Sequence, residues 1–362
     1  MRPGIVSLAA LAACASQPSS PTDAGSGVAA TQEMVFMQPA AGAAVPAPSN
    51  VFEVALANLD GTGLRQLTHD GTQKFLPHFS PDATKVVYTK YSRGGYGAAD
   101  SLSDIALFDL ATGAATLLTT GGGASQATFS PDGTRIAYGA GTLTKGSDQV
   151  GLYVMNADGS DAHRIGLWSG GDDDLGWGDY AWSSDDWILF TVAQRINGCF
   201  KVRIDKMRPD GSARTKVSDG GPSCTPDGME QSGDADPGWS PDGKTIYSSR
   251  GFPNAPAGGG GTERRLYAVS SDAWYAGKPE RDLSLPSEPS CIEGVPKASP
   301  DGARVLLFRG CFDSGTFAHG IYVTDSDGSY RTFVTDGFGP DWNPLRRNAA
   351  HEGRARTFSP SE

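Results

Sequence analysis

The hydrophobic positions of this chain fall in short runs of four to eight residues that are rich in Val, Ile, Tyr and Phe. Gly, Asp, Ser and Pro bound most of these runs. FEVALAN at 52–58, IALFDL at 105–110 and LYVMN at 152–156 are examples. Runs of this length and composition are typical of β-strands, and no segment shows a helical period. The pattern therefore predicts an all-β fold.

A Ser-Pro-Asp-Gly phrase, usually preceded by an aromatic residue and followed by a strand, recurs along the chain. The copies are HFSPDATKVVYT from His78, TFSPDGTRIAY from Thr128, AWSSDDWILFT from Ala181, GWSPDGKTIYSS from Gly238, KASPDGARVLLF from Lys297 and the truncated DWNPL from Asp341. Their serines, or the residues in the same place, are 50, 53, 57, 59 and 44 residues apart. This spacing is typical of four-stranded propeller blades that carry loop insertions.

The phrase itself is best explained as a hairpin corner. Proline sets φ for the first corner position, aspartate bonds a backbone N–H two residues on, and glycine accepts a positive φ. The preceding aromatic residues can wedge between neighbouring sheets, and we call them the plug aromatics: Phe79, Phe129, Trp182, Trp239 and Trp342. A catalytic role for the corner aspartates is the alternative. The interpretation we adopt is a structural corner with a core plug.

These repeats resemble the WD40-like propeller repeats of bacterial envelope proteins, the type found in the propeller half of TolB. The resemblance rests on WSPDG-x-x-I-x-Y and IY-V-x-x-x-DG and covers residues 33–345. Ala83, Ser184 and Ala298 depart from the pattern. The resemblance implies a β-propeller of four-stranded antiparallel blades, and the repeat copies predict six blades, the first built from both chain ends. TolB also has an N-terminal α/β domain, and we expect this chain to lack it.

Ring closure is predicted from the two ends of the propeller segment. The last inner strand, near residues 339–342, has no following partners, whereas strand-like runs at 34–37, 52–58 and 64–67 precede the first corner. Pairing these N-terminal strands with the C-terminal inner strand would close the ring and limit exposed edges. Residues 346–362 are then expected to form a disordered basic tail.

The N-terminus predicts export with a lipid anchor. Residues 1–14, MRPGIVSLAALAAC, have the layout of a secretory signal and end in LAAC, which resembles the bacterial lipobox. That resemblance implies a lipid on Cys14, with an ordinary signal peptide as the alternative. Residues 15–32 are small and polar, as expected of a flexible tether. We therefore expect a periplasm-facing lipoprotein of the outer membrane, attached to the membrane only through this anchor.

Four cysteines remain after Cys14, an even number that suggests disulfides in an exported protein. Cys199 begins the third strand of its blade and Cys224 follows the fourth, while Cys291 precedes an inner strand and Cys311 follows the next strand. Adjacent antiparallel strands then predict the pairs Cys199–Cys224 and Cys291–Cys311. A zinc site is the alternative, but no C-x-x-C pair is present.

The long connections are predicted to share one face, opposite the tight corners, and we call it the loop face. Binding residues often lie on loops that a rigid scaffold presents. The connection GGDDDLGWGDY at 170–180 combines acidic and aromatic side chains. The candidate binding residues there are Trp168, Asp172, Asp173, Asp174, Trp177, Asp179 and Tyr180.

The charge excludes some partners. The formal net charge is −11, and this argues against nucleic acid. It favours a basic or uncharged partner, although it could also serve solubility alone. We expect a monomer that binds an envelope protein or peptide through the loop face without catalysis. A glycan binder stacking on Trp168, Trp177 and Tyr180 is one alternative.

A propeller enzyme, a lyase or hydrolase with its site in the central tunnel, is the other alternative. His78, Lys297 and Asp341 stand just before a plug position in three blades and are its candidates. No metal-ligand spacing or nucleophile motif accompanies them. No cofactor or metal is therefore expected. Calcium at DADP (234–237) or DSDG (325–328) is a weak alternative, because neither has a twelve-residue loop.

Overall fold

The computed structural model describes residues 30–40, 51–96, 100–141, 150–167, 175–176, 179–196, 199–218, 232–252, 263–272, 280–284, 291–313 and 316–346. These residues form strands and turns and contain no helix, which confirms the all-β prediction. Within these ranges there is accordingly no helix with the length and hydropathy to cross a membrane.

The strands of the described ranges are, in chain order, β1 (Met34–Pro39), β2 (Phe52–Ala57), β3 (Arg65–Gln66), β4 (Lys74–Phe79), β5 (Lys85–Arg93), β6 (Leu102–Asp109), β7 (Ala115–Leu117), β8 (Ala124–Phe129), β9 (Arg135–Ala140), β10 (Gly151–Asn156), β11 (His163–Leu167), β12 (Leu175–Gly176), β13 (Ala181–Trp182), β14 (Ile188–Ile196), β15 (Cys199–Met207), β16 (Thr215–Lys216), β17 (Ser232–Trp239), β18 (Thr245–Phe252), β19 (Glu263–Ser270), β20 (Arg281–Asp282), β21 (Cys291–Ala298), β22 (Arg304–Asp313), β23 (Thr316–Asp325), β24 (Thr332–Thr335) and β25 (Phe338–Trp342).

Antiparallel pairing divides these strands into groups of four. The groups are β4-β5-β6-β7, β8-β9-β10-β11, β13-β14-β15-β16, β17-β18-β19-β20, β21-β22-β23-β24 and β25-β1-β2-β3. Strand β12 also pairs with β14, and short parallel contacts join β15 to β17 and β19 to β21. The last group contains strands from both ends of the described chain, because Met34 of β1 lies opposite Trp342 of β25.

We call the first strand of each group its inner strand: β4, β8, β13, β17, β21 and β25. Each inner strand ends at a plug aromatic, except β21, which ends at Ala298. Each one also contacts the inner strand of the next group, and β25 contacts both β21 and β4. The inner strands are therefore the place where all the groups meet.

The hydrophobic core lies between neighbouring groups. In β5, Val86 and Tyr88 pack towards the β25 group, whereas Val87 packs towards the β8 group. This alternation follows from the two-residue period of a strand, which buries both faces of each sheet. Further buried clusters join the β8 group to the β13 group, the β13 group to the β17 group, the β17 group to the β21 group and the β21 group to the β25 group.

The corner at Ser130–Gly133 shows why the repeated phrase folds as it does. Asp132 Oδ1 accepts hydrogen bonds from the Ser130 hydroxyl at 2.6 Å and from the Thr134 N–H at 3.0 Å. These bonds, that of Ser130 first, lower the pKa of Asp132 to about 2. Gly133 has a φ of +72°, which a residue with a Cβ adopts only with strain. The same Ser–Asp bond closes the corners at Asp82, Asp185, Asp242 and Asp301.

We expect Gly133→Ala to lower the free energy of unfolding by about 1–2 kcal/mol, because alanine pays a steric cost at positive φ. Its Cβ would also lie 3.4 Å from Cδ of Pro81. Urea-induced unfolding followed by tryptophan fluorescence measures the change. Gly121→Ala is the matched control, since Gly121 has no positive φ and no atom within 4 Å of its added Cβ. Equal stability of the two variants would contradict the account of the corner.

The structure forms the predicted disulfide Cys291–Cys311, with the two Cα atoms 4.1 Å apart. The cysteines lie directly opposite each other in the β21–β22 pair. Cys199 is the first residue of β15, but Cys224 lies outside the described residues. The pair Cys199–Cys224 therefore stays a prediction.

Candidate functional site

The structure divides the candidate binding residues of the loop face. Trp168, Asp172, Asp173, Asp174 and Trp177 lie outside the residues whose side chains the structure describes. Asp179 and Tyr180 are described, and each is only 2% exposed. Their assignment to an exposed binding face is therefore corrected: both are buried where the inner strands meet.

The reason lies in the register of the inner strands. Asp179 stands three residues before the plug aromatic Trp182, and His78 stands one residue before Phe79. Asp179 lies just before β13, which begins at Ala181, and its carboxylate reaches His78 and Lys297 of two other inner strands. Asp179 is thus placed among the inner strands, although it directly follows an acidic connection in the sequence.

Four side chains from different inner segments form a buried network, which we call the inner network: His78, Asp179, Lys297 and Asp341. Asp179 Oδ2 lies 2.5 Å from Lys297 Nζ, and Asp179 Oδ1 lies 3.2 Å from His78 Nε2. His78 Nδ1 lies 3.4 Å from Asp341 Oδ2, which also accepts a hydrogen bond from the Phe79 N–H at 3.1 Å. Residues 100 or more positions apart in the chain are thereby tied together.

The inner network keeps its charges by mutual pairing. Burial raises the pKa of Asp179, but Lys297 and His78 outweigh it and lower that pKa to about 2. Burial and the charge of Lys297 lower the pKa of His78, but Asp179 and Asp341 outweigh them and raise it. We conclude that His78 is held in its protonated form over a wider pH range than an exposed histidine.

The His78 pKa predicts a pH dependence of stability. A raised folded-state pKa stabilises the fold fully below the unfolded histidine pKa of about 6.5, and the contribution is lost as pH rises through the higher folded value. We expect the difference in unfolding free energy between wild type and His78→Gln to shrink as pH rises above about 6.5. Urea titrations between mildly acidic and alkaline pH measure it, and parallel profiles for the two proteins would contradict the prediction.

A cavity of about 350 Å³ lies on the corner side of the inner network. The plug aromatics Phe79, Phe129, Trp182, Trp239 and Trp342 line it together with corner prolines. His78, Lys297 and Asp341 border the same space. The sequence predicts a structural role for this face, and no residue pattern indicates the cavity.

A second cavity, of about 450 Å³, lies at the opposite ends of the inner strands, and we call it the loop-side cavity. Phe75, Tyr96, Phe308 and Phe338 contribute aromatic rings to its wall. Polar groups of Gln126, Thr191, Asp236 and Arg264 also border it. It therefore lies on the side for which the sequence predicts the long connections.

The three enzyme candidates His78, Lys297 and Asp341 do converge. His78 contacts Asp341 directly, and Asp179 links His78 to Lys297. Among the described residues there is no group of three or more His, Cys, Asp or Glu side chains placed to hold a metal ion.

No protein-family model matches the chain. A segment of 118 residues is 31% identical to the Tol-Pal system protein TolB of Francisella tularensis and covers 32% of this chain and 25% of that protein. The matching segment thus spans about a quarter of the length of these curated relatives.

Solved structures extend the likeness over most of the chain. The crystal structure of TolB from Acinetobacter baumannii superposes with a TM-score of 0.59 at 18% identity, over 86% of this chain and 66% of that chain. A second TolB-type structure, from Agrobacterium tumefaciens, superposes with a TM-score of 0.53 at 16% identity, over 85% of this chain and 90% of that chain. The chain has a TolB-like β-propeller fold, and identity this low shows the fold alone.

Proposed function

We propose that the six groups of strands are six blades of a closed propeller. The support is that buried clusters link the groups in a circle. Each group packs on the next one, and the β25 group packs against both the β21 and the β4 groups. The pairing of β1 with β25 supplies the clasp. A closed ring would leave only short outer edges exposed.

We propose that this ring is a non-catalytic module of the cell envelope that binds a protein or peptide through its loop face. The observation that carries the proposal is the difference between the two faces. The corners are closed by their own Ser–Asp hydrogen bonds, whereas an aromatic cavity lies on the opposite side, for which the sequence predicts the long connections. Rigid scaffolds that carry variable loops on one face are suited to recognition.

The sequence relatives support a partner protein, since they are named as proteins of the Tol-Pal system. A catalytic role has less support, because the polar atoms of His78, Lys297 and Asp341 are engaged with one another and with Asp179. A glycan platform also has less support, because Tyr180, one of its three aromatic residues, is buried.

Site-specific photocross-linking in intact cells tests the binding face. Tyr96 is 54% exposed at the rim of the loop-side cavity, and Tyr330 is 84% exposed beyond a tight turn. Replacing each in turn by a photoreactive phenylalanine should give an envelope-protein adduct at position 96 and not at position 330. The adduct protein, once purified, should bind wild type in solution. Adducts at Tyr330 alone would contradict the proposal.

The lipid anchor is a separate proposal that rests on the lipobox-like LAAC ending at Cys14. The tether predicted over residues 15–32 would then end before Ala30, because the Asn343 amide donates hydrogen bonds to the carbonyls of Ala30 and Gln32 and so holds them to the propeller. Cys14→Ser should move the protein from the membrane fraction to the soluble exported fraction, as measured by fractionation. A wild-type protein without lipid, or a variant that stays in the membrane fraction, would contradict it.

A further inference from the structure

The loop-side cavity contains a buried hydroxyl group without a partner. Thr191 is 1% exposed, and its Oγ1 has no hydrogen-bond partner in the described part of the chain. A buried polar atom left unpaired costs free energy, so native proteins rarely keep one without a reason. Thr191 borders the cavity, and its covered Oγ1 would reach a ligand there after the side chain turns about χ1.

The backbone around the same cavity is strained at four matching positions. Leu76, Gln126, Asp236 and Val295 each stand three residues before the end of an inner strand and have φ values of 43°, 58°, 51° and 53°. Each lies in a β-bulge of its strand, and all four border the cavity. Bulges redirect side chains, and left-handed non-glycine residues cluster at ligand sites. The repetition indicates that the cavity is a built feature of the inner strands.

The apolar side of the cavity is an aromatic wall of four rings. The rings of Tyr96 and Phe75 are stacked with their centroids 4.3 Å apart, and the rings of Phe75 and Phe338 are stacked with their centroids 6.2 Å apart. Phe308 tilts against Phe338 at 4.6 Å. Such a wall offers both ring faces and ring edges to another aromatic group.

The polar side carries opposite charges that balance. Arg264 Nη1 lies 3.9 Å from Asp236 Oδ2 and donates a hydrogen bond to Ser249 Oγ at 3.1 Å. Burial raises the pKa of the Asp236 carboxyl, and Arg264 opposes the shift. A pair of this kind favours an uncharged ligand, because a charged one would enter without a counter-charge.

We propose that the loop-side cavity binds an uncharged small molecule with an aromatic body and one hydrogen-bonding group. The body lies against the aromatic wall, and the polar group bonds to the Thr191 hydroxyl. The cavity volume of about 450 Å³ lies within the range of small-molecule sites. This ligand goes beyond the proposed recognition role, since it needs no partner protein.

Equilibrium dialysis of the purified full chain with naphthol and with naphthalene tests the proposal, because the two probes differ only in one hydroxyl group. We expect saturable one-site binding of naphthol. Thr191→Val keeps the side-chain shape and removes the hydroxyl. It should therefore lower the affinity for naphthol about fivefold and leave the affinity for naphthalene unchanged. The fold of this variant should be as stable as wild type or more stable, since no bond is lost.

Thr324→Val is the matched control. Thr324 is 1% exposed, and its hydroxyl donates to the Ser329 carbonyl at 2.7 Å, so this variant should lose stability and bind naphthol as wild type does. If Thr191→Val folds poorly, Phe75→Leu is the second variant. It removes one ring of the aromatic wall and should lower the affinity for both naphthol and naphthalene. No saturable binding to wild type, or equal naphthol binding by wild type and Thr191→Val, would overturn the proposal. The recognition role would stand in either case, because the assay contains no partner.

Discussion

Replacing Asp179 by alanine is expected to lower the free energy of unfolding by about 3–5 kcal/mol, because it leaves a buried charge without its partner. Asp179 and Lys297 are almost fully buried, and their side chains meet at 2.5 Å. His78 would lose one of its two carboxylate partners as well. A loss of this size is a large part of the stability of a typical domain. Equilibrium unfolding in guanidinium chloride measures it.

Two further variants separate the buried pair from ion pairs in general. Asp100→Ala removes an exposed partner of Arg93 and should cost under about 1 kcal/mol. Asp179→Asn combined with Lys297→Met removes both buried charges and should recover a large share of the loss. A loss below about 1 kcal/mol for Asp179→Ala would show that the inner network does not hold the strands together.

Trp342→Ala is expected to destabilise the protein by about 3–5 kcal/mol, because it opens a cavity at the junction of the two chain ends. Trp342 is 4% exposed, packs with Met34 of β1 and Leu306 of β22, and donates from its indole N–H to the Lys297 carbonyl at 2.7 Å. One side chain thus joins the last two groups of strands. Thermal and denaturant unfolding measure the loss.

Trp342→Phe keeps most of the ring and loses the hydrogen bond, so it should cost less than the alanine variant. A smaller loss of stability for Trp342→Phe than for Trp342→Ala would separate the contribution of packing from that of the hydrogen bond where β1 pairs with β25. If Trp342→Ala cost no more than a surface substitution, about 0.5 kcal/mol, the junction would not be a source of stability.

The repeated corner phrase predicted the strands well because each copy carries its own local chemistry. Proline, aspartate and glycine specify a tight turn wherever they occur, so the inner strands before Gly133 and Gly243 could be placed from sequence. The N-terminal strands were predicted from the partners that β25 otherwise lacks, and β1 does pair with β25.

The candidate site was harder to predict, because it depends on register. The sequence groups Asp179 with the acidic connection before it, and only its distance from Trp182 could place it beside the inner strands. His78, Lys297 and Asp341 are easier to recognise, because each stands one residue before a plug position. The position three residues before the plug holds Asp179 and Asp236, and nothing in the corner phrase marks it.

The loop-side cavity could not be predicted at all. It depends on β-bulges at residues such as Leu76 and Val295, and no residue type at those positions requires a left-handed backbone. The unpaired Thr191 hydroxyl likewise follows from how β14 meets the inner strands. Such features come from packing among distant segments, and the local pattern of residues does not contain them.

One face of the propeller is expected to support the fold, and the other is expected to recognise a partner. Binding isotherms with the partner captured at Tyr96, measured at low and high salt, check this claim. Replacing Asp172, Asp173 and Asp174 together by asparagine should weaken binding and flatten its salt dependence, with unfolding nearly unchanged. Gly133→Ala should lower stability and leave binding as in wild type. Full binding by the triple variant at low salt, together with weakened binding by folded Gly133→Ala, would contradict the claim.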